Sequence, residues 1–274
     1  MKKLIDFDGL FDERLSEYMQ ENAGKYTEKQ WESVIPKLYK KYGDTVITAL
    51  KTSPKGYYRQ MDDEELVETL VRHVQESVPV SDFLCRELED RRPDGLFPLI
   101  LSPDQQLSLL AVNIAGDDAR AFDAYFTIIE RSLDEELKDA VCDKLKDGAD
   151  AVKARATEYY EKGVDRERMM EILSRVRERD DRVFDILLKA FKENDDEIPM
   201  HASYLASYGD ERALPALLEV IDREDINFLE YQELKYAIEA LGGEYTRPRD
   251  FSEDAYYQEI QRQSTLPPKD GDKK

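Results

Sequence analysis

The chain contains few of the residues that build metal sites, disulfide frameworks and tight turns. It has two histidines, two cysteines and one tryptophan in 274 residues. Two histidines exclude a multi-histidine metal site within one chain. Cys85 and Cys142 lie far apart in sequence and do not form the pattern of a disulfide framework, which favours a reducing compartment. Glycine and proline are also scarce beside Glu, Lys, Leu, Ala and Arg, and this composition predicts a mostly helical chain.

Positive charge is scarce relative to negative charge. There are 40 Lys and Arg residues against 61 Asp and Glu residues, so the net charge is −21. Such a surface repels phosphate backbones, and proteins that bind nucleic acid normally carry a basic footprint. We therefore expect neither nucleic acid nor an anionic membrane as a partner. The one basic cluster, between Lys153 and Arg182, is interleaved with acids and is interpreted as a solvated helix face.

Long apolar runs are missing as well. No window is long enough to predict a membrane-spanning helix. The apolar run near the first residue is broken at Asp6, so we expect no signal peptide and a cytoplasmic location. Hydrophobic residues still make up 41% of the chain, which is enough for a continuous core between stacked helices.

One turn sequence recurs through the second half of the chain. Gly116, Gly148, Arg179, Gly209 and Gly242 are spaced by about 30 to 33 residues, a range typical of two-helix repeats. We interpret each anchor as the end of one helix and the start of the next, which an aspartate caps. The spacing predicts four units between residues 117 and 241. The predicted capping residues are Asp118, Asp150, Asp181 and Asp210.

The last unit carries the most detailed pattern. It opens with GDERALPALL at residues 209–218 and closes with ALG at residues 240–242. These residues resemble the short HEAT repeat named after the phycobilisome lyases, whose consensus opens with GD-x-RA-x-P-L-L and closes with ALG. The resemblance implies an all-α, α-α superhelix whose second helices line a concave face. The direct matches are Gly209, Asp210, Arg212, Ala213, Pro215, Leu217, Leu218, Ala240, Leu241 and Gly242.

The regions on either side of the repeats have their own predicted roles. Residues 1–93 are predicted to form an irregular helical region packed on the solenoid, and residues 94–243 the HEAT-like repeats. Residues 244–263 are predicted to form a capping helix and residues 264–274 a disordered tail. Within the first region, the predicted helices are Phe7–Glu21, Thr27–Lys41, Asp44–Leu50, Asp62–Gln75 and Ser81–Asp90, with a loop at Thr52–Met61. The capping helix is predicted at Ser252–Gln261, and capping-box spacing is found in Thr27 with Gln30, Asp62 with Glu65 and Asn227 with Glu230.

The tyrosines are the predicted binding residues. Tyr204, Tyr208, Tyr231 and Tyr236 fall on predicted second helices, and His201 opens one of them. Tyrosine combines apolar area with a hydroxyl group and is favoured at interfaces. These five residues are our candidates for contact with a protein or peptide partner, in a non-enzymatic scaffold without cofactor, metal or catalytic set. The alternative, that they pack between repeats, stays open.

The strongest catalytic alternative lies at residues 4–11, LIDFDGLF. This stretch resembles the first motif of haloacid-dehalogenase-like phosphatases, in which Asp6 would be the nucleophile and Asp8 the general acid. Leu10 stands where that family has threonine, and no strands are predicted. The other interpretation is a helix start with Asp6 or Asp8 as its cap.

Other enzyme classes have less support from the residues. A DNA glycosylase on a HEAT-like scaffold needs a basic groove with aromatic residues, which the net charge and the position of Trp31 outside the repeats oppose. A bilin lyase rests on the repeat resemblance alone, a weak basis for function. A Cys/His pair would have to combine distant residues. His73 lies beside Arg72 and is predicted to be solvated, whereas His201 is predicted to cap or pack.

Overall fold

The structure is a computed structural model that describes residues 2–265. Within this range it is all-α, as the composition predicts, and its only β contact is an isolated bridge between Ile47 and Thr52. Residues 266–274, most of the predicted tail, lie outside the described residues. The chain divides between Lys144 and Leu145 into two compact units, which are called the N-terminal and the C-terminal unit below.

Eight α-helices begin in the N-terminal unit, and 3₁₀ segments at Asp94–Leu101 and Ala119–Ala121 precede α6 and α7. α3 packs on α2 and α5, and α5 packs on α4 and α6. The helices are α1 (Phe7–Glu21), α2 (Glu28–Asp44), α3 (Pro54–Arg59), α4 (Asp63–Gln75), α5 (Asp82–Arg91), α6 (Gln105–Ala115), α7 (Phe122–Arg131) and α8 (Glu135–Asp147).

Aromatic rings form one part of the core of the N-terminal unit. Phe7 and Phe11 lie one turn apart on α1, so their side chains share a face. Phe7 meets the Tyr58 ring edge-on at a centroid distance of 5.6 Å, and Phe11 meets Tyr39 at 5.0 Å. Burying one phenylalanine side chain contributes about 1.5–3 kcal/mol. The spacing of these two residues therefore anchors α1.

Local signals explain which of the predicted N-terminal helices form. The capping boxes predicted from sequence, Thr27 with Gln30 and Asp62 with Glu65, are both present. The prediction of a helix at Asp44–Leu50 is wrong, because the chain turns there after α2. The prediction of a loop at Thr52–Met61 is also wrong, because α3 forms within it.

Seven helices follow in the C-terminal unit. They pack as three pairs, α9 with α10, α11 with α12 and α13 with α14, and α12 also packs against α10 and α14. The predicted helix at Ser252–Gln261 is present as α15, starting three residues later. The bounds are α9 (Ala149–Lys162), α10 (Arg166–Leu173), α11 (Asp181–Glu193), α12 (Ile198–Tyr208), α13 (Leu214–Ile221), α14 (Phe228–Ala240) and α15 (Ala255–Thr265).

An Asp-x-Arg sequence makes the same local bond at three of the recurring turns. In each, the aspartate carboxylate accepts a hydrogen bond at 3.0 Å from the backbone N–H of the arginine two residues later. The predicted caps Asp118 and Asp210 are thus confirmed. The third predicted cap, Asp181, is wrong by one residue, since Asp180 caps α11. Asp150 is also wrong as a cap, because it lies inside α9 and accepts from two backbone N–H groups at residues 177 and 178.

The arginine of each Asp-x-Arg sequence also reaches back to an earlier helix or turn. Arg212 bonds Asp181 at 2.8 Å, and its guanidinium lies 4.2 Å from the centroid of the Phe184 ring. It also bonds the Asp210 carboxylate at 2.7 Å, so one side chain ties α11 to the turn before α13. The equivalent contacts are Arg120 with Asp94 at 2.7 Å and Phe97 at 4.2 Å, and Arg182 with Glu161 at 2.6 Å.

The glycine anchors do not all act in the same way. Gly209 has a φ of +78° and ends α12 in the left-handed conformation, as predicted. Gly148 lies between two helices as predicted, but its φ of −101° is not the left-handed conformation. α8 ends at Asp147 and α9 begins at Ala149, so Gly148 alone separates the two helices.

The segment at residues 244–254 covers the last helix pair. Tyr245 donates a hydrogen bond to the Asp222 carboxylate at 2.8 Å, and Arg247 bonds the same carboxylate at 2.6 Å. Phe251 meets the ring of Phe228 at 5.3 Å and that of Tyr231 at 5.0 Å. These contacts bury aromatic surface of α14 that would otherwise face solvent.

Candidate functional site

Helix α12 carries no charged side chain. Its sequence, IPMHASYLASY, lacks Asp, Glu, Lys and Arg, although these make up 37% of the chain. Pro199 fits in the first turn, where its missing N–H is tolerated. α6 is also uncharged, but it buries six of its eleven residues whereas α12 buries four of eleven. α12 therefore presents an uncharged surface to solvent.

The solvent-facing side of α12 consists of small and neutral side chains. Ser203 and Ser207, one turn apart, are exposed, and Pro199, Met200 and Tyr204 are partly exposed. Charged residues are depleted at the centres of protein interfaces, while tyrosine and methionine are enriched there. This side therefore shares its lack of charge, its tyrosine and its methionine with contact surfaces, whereas its two exposed serines belong to a residue type that is depleted there.

Helix α14, which packs on α12, adds two exposed apolar residues. Its capping box, Asn227 with Glu230, is present with bonds of 2.9 and 3.0 Å, so the prediction from sequence is confirmed. Leu229 is 42% exposed and Tyr236 is 64% exposed. They are seven residues apart and share one side of the helix. Charged side chains, Lys235 and Glu239 among them, are also accessible on α14. We call the following uncharged residues of the two helices, all exposed or partly exposed, the α12–α14 face: Pro199, Met200, Ser203, Tyr204, Ser207, Leu229 and Tyr236.

Acidic residues lie beside this face. Asp195, Asp196 and Glu197 directly precede α12, and Asp195 pairs with Arg223 at 2.6 Å. Glu239, in the last turn of α14, is exposed. An uncharged surface with acidic neighbours complements a segment that has an apolar side and basic flanks.

The hydroxyl of Tyr208, one of the predicted binding residues, both accepts and donates a hydrogen bond within the chain. The hydroxyl accepts from the Asp180 N–H at 2.8 Å and donates to the Asp180 carbonyl at 2.9 Å. Burial raises the pKa of Tyr208 above its ordinary value. This tyrosine thus ties the end of α12 to the start of α11.

His201 and Tyr231 lie in the core, at 1% and 8% exposure. The His201 Nε2 atom is 3.3 Å from the Glu197 carboxylate, and its ring centroid is 6.0 Å from that of Tyr204. Tyr231 donates to the Arg247 carbonyl at 3.2 Å. Capping or packing was predicted for His201, and it packs in the core. Of the five predicted binding residues, Tyr236 is the most accessible.

Sequence reasoning missed the serines and Leu229. Aromatic content drew attention to the tyrosines, whereas Ser203 and Ser207 have no distinctive side chain. The signal that locates them is the run of eleven residues without charge. Leu229 carries no sequence signal of its own, because leucine on a helix usually faces the core.

The N-terminal aspartates take part in helix packing. Asp6 accepts from the Gly9 N–H at 2.8 Å and caps α1, which confirms the capping interpretation. Asp8 accepts from the Tyr39 hydroxyl at 2.7 Å, and burial together with this bond raises the pKa of Tyr39. Residues 2–6 form no strand, and residues 7–265 contain none. A phosphatase motif of the kind considered above needs a strand before Asp6.

His73 is buried, so the prediction that it is solvated is wrong. It lies on the same side of α4 as Leu66 and Leu70, which are fully buried, and its Nδ1 atom is 2.8 Å from the Pro79 carbonyl. Cys85, on α5, has a thiol whose pKa is raised to about 11 by burial. No group of three or more His, Cys, Asp or Glu side chains within residues 2–265 is arranged to hold a metal ion.

No protein-family model, curated protein or solved structure matches this chain. Within residues 2–265, no helix has both the length and the apolar content needed to cross a membrane.

Proposed function

We propose that this chain is a non-enzymatic helical-repeat scaffold of the HEAT type, and that its α12–α14 face binds a protein or peptide segment. The observation that carries the proposal is the uncharged, solvent-facing side of α12 in a chain of which 37% is charged. Charged side chains on an exposed helix favour solubility. Their absence from this helix therefore favours contact with a partner.

The recurring turns support the repeat part of the proposal. Three Asp-x-Arg sequences make the same backbone bond, and the three arginines each reach an acid that lies 21 to 31 residues earlier. The pairing of α9 with α10, α11 with α12 and α13 with α14 agrees with two-helix units. The superhelix with a concave face is part of the same proposal.

The residues of the face indicate the chemistry of the partner. Leu229 and Tyr236 are the apolar anchors, and the two serines of α12 leave room for a side chain or a helix to approach closely. The acids at residues 195–197 add long-range attraction for a basic segment. We therefore expect a partner segment with one apolar side and flanking lysines or arginines.

Photocrosslinking tests the location. A benzophenone amino acid is placed at Ser203, at Ser207 or, as a control in the same unit, at Ala154, which is exposed on α9. Crosslinking in lysate followed by mass spectrometry should identify the same protein from both α12 positions and not from residue 154. Equal products from all three positions would contradict a binding site at this face.

Binding of the purified partner then tests the anchors. Tyr236→Ala and Leu229→Ala should each weaken binding about tenfold, the loss that 1.4 kcal/mol of contact energy gives. Tyr256→Ala, which changes an exposed tyrosine of α15, is the matched control and should bind normally. Unchanged affinity in both face variants would refute the proposal.

A further inference from the structure

A separate feature lies in the N-terminal unit, where α1 and α2 enclose a small apolar pocket that is open to solvent. Its volume is about 190 Å³, and Phe11, Leu15 and Leu38 supply apolar walls. An engineered apolar cavity of about 150 Å³ binds benzene. The pocket is therefore large enough for one ring or a short aliphatic chain.

The ring of Tyr42 forms one wall of the pocket. Tyr42 is 5% exposed and lines the pocket, and its hydroxyl oxygen is buried without a hydrogen bond. Because that oxygen has no accessible surface, a bound ligand meets the ring of Tyr42 and not its hydroxyl.

Two cations line the same pocket. The Arg14 guanidinium lies 5.3 Å from the centroid of the Tyr42 ring, and Lys41 lies one residue before Tyr42 on α2. In residues 2–265, neither side chain forms an ion pair, although the chain holds 61 acidic residues. The pocket thus combines apolar walls with two positive charges that have no acidic partner within residues 2–265.

We propose that this pocket binds a small carboxylate whose apolar body is about the size of a benzene ring. The body lies against Phe11, Leu15 and Leu38, and the carboxylate pairs with Arg14 and Lys41. Apolar contact holds the ligand, and the charged groups select an anion over a neutral molecule of the same shape. This inference is independent of the function proposed for the C-terminal unit.

Two probes of one shape test the inference. Isotope-labelled protein is titrated with 3-phenylpropionate and with the neutral 3-phenylpropanol, and backbone amide shifts are followed by NMR. We expect saturable shifts in α1 and α2 with the carboxylate, and about tenfold weaker binding of the alcohol. Absence of saturable shifts with the carboxylate, or equal affinity for both probes, would overturn the proposal.

Variants separate the pocket from nonspecific attraction. Arg14→Gln combined with Lys41→Gln should remove the preference for the carboxylate, whereas Lys40→Gln, a matched change on the exposed side of α2, should keep it. Tyr42→Phe keeps the ring that lines the pocket and should leave the preference for the carboxylate unchanged. A preference that survives the double change, or that disappears in Lys40→Gln, counts against the site.

A filled pocket provides the last check. Leu38→Trp places a larger side chain at the wall and should abolish binding of both probes. Circular dichroism and the urea midpoint show whether each variant is folded. If Leu38→Trp does not fold, Leu15→Phe serves the same purpose on α1. Carboxylate binding that persists in a folded, filled variant would show that the ligand lies elsewhere.

Discussion

Replacing Tyr208 with phenylalanine should destabilise the C-terminal unit without weakening partner binding. The change keeps the ring and removes only the hydroxyl, which bonds both the N–H and the carbonyl of Asp180. Asp180 is the cap of α11 and accepts from the N–H groups of Arg182 and Val183. The hydroxyl therefore holds in place the residue that starts the next helix.

The magnitude follows from two hydrogen bonds. A hydrogen bond contributes about 0.5–1.5 kcal/mol net, and leaving buried polar groups without a partner costs more than the mean. Both bonds of Tyr208 are partly buried, and the retained ring leaves no large cavity. We expect the free energy of unfolding to fall by about 2 kcal/mol.

Urea unfolding followed by circular dichroism measures the loss. The midpoint should fall while the slope with denaturant stays constant, because the folded and unfolded states expose the same surface. Tyr236→Phe is the matched control, since that tyrosine is 64% exposed, and its effect should stay within about 0.5 kcal/mol. At temperatures where both variants are folded, Tyr208→Phe should bind the partner normally.

Equal stability of the Tyr208→Phe and Tyr236→Phe variants would contradict this expectation. Such a result would mean that the hydroxyl of Tyr208 is not engaged with Asp180 in solution and is available to a partner. A loss of partner binding by folded Tyr208→Phe would lead to the same conclusion.

Three further predictions concern pH, thiol chemistry and capping. Arg120 lowers the pKa of Asp118 to about 2, below the unfolded value of about 3.9, so its stabilisation is complete above pH 4 and is lost as the pH falls toward 2. Asp118→Asn should therefore lower the urea midpoint at pH 6 more than at pH 2. Cys85, whose pKa is raised to about 11, should react slowly with Ellman's reagent at pH 8.5 and quickly in urea, and fast reaction in the native state would contradict its burial. Asn227→Ala removes the cap of α14 and should cost about 1 kcal/mol in urea unfolding, whereas Asn227→Asp should cost little.

Much of the helical structure could be predicted because its signals are local. α1 begins and ends at the predicted residues, Phe7 and Glu21, and α4 begins after the predicted cap, Asp62. α3 was missed because six residues are too few to show helical periodicity. Its start signals were present nevertheless, since Ser53 accepts from the Gly56 N–H and Pro54 occupies the first turn.

The roles of the tyrosines could not be read from the sequence in the same way. Tyr208, Tyr231 and Tyr236 all lie on helices with apolar neighbours. What distinguishes them is tertiary contact, because the partners of the first two are backbone groups 28 and 16 residues away in the chain. His73 shows the same limit. The charged Arg72 beside it indicated a position in solvent, whereas His73 lies on the side of α4 that faces the core.

Residues 244–254 cover part of the last helix pair, and this affects which of its groups a second copy of the chain could contact. Contacts such as Arg212 with Asp181 join unlike surfaces, an arginine-bearing turn and an acid-bearing helix. A contact between unlike surfaces, repeated from one molecule to the next, forms a ring if the rotation closes and a filament if it does not. Tyr245 and Arg247 occupy the Asp222 carboxylate, and Phe251 covers the ring of Phe228. Residues 244–254 thus engage, within the same chain, groups that a second copy of the chain would otherwise contact.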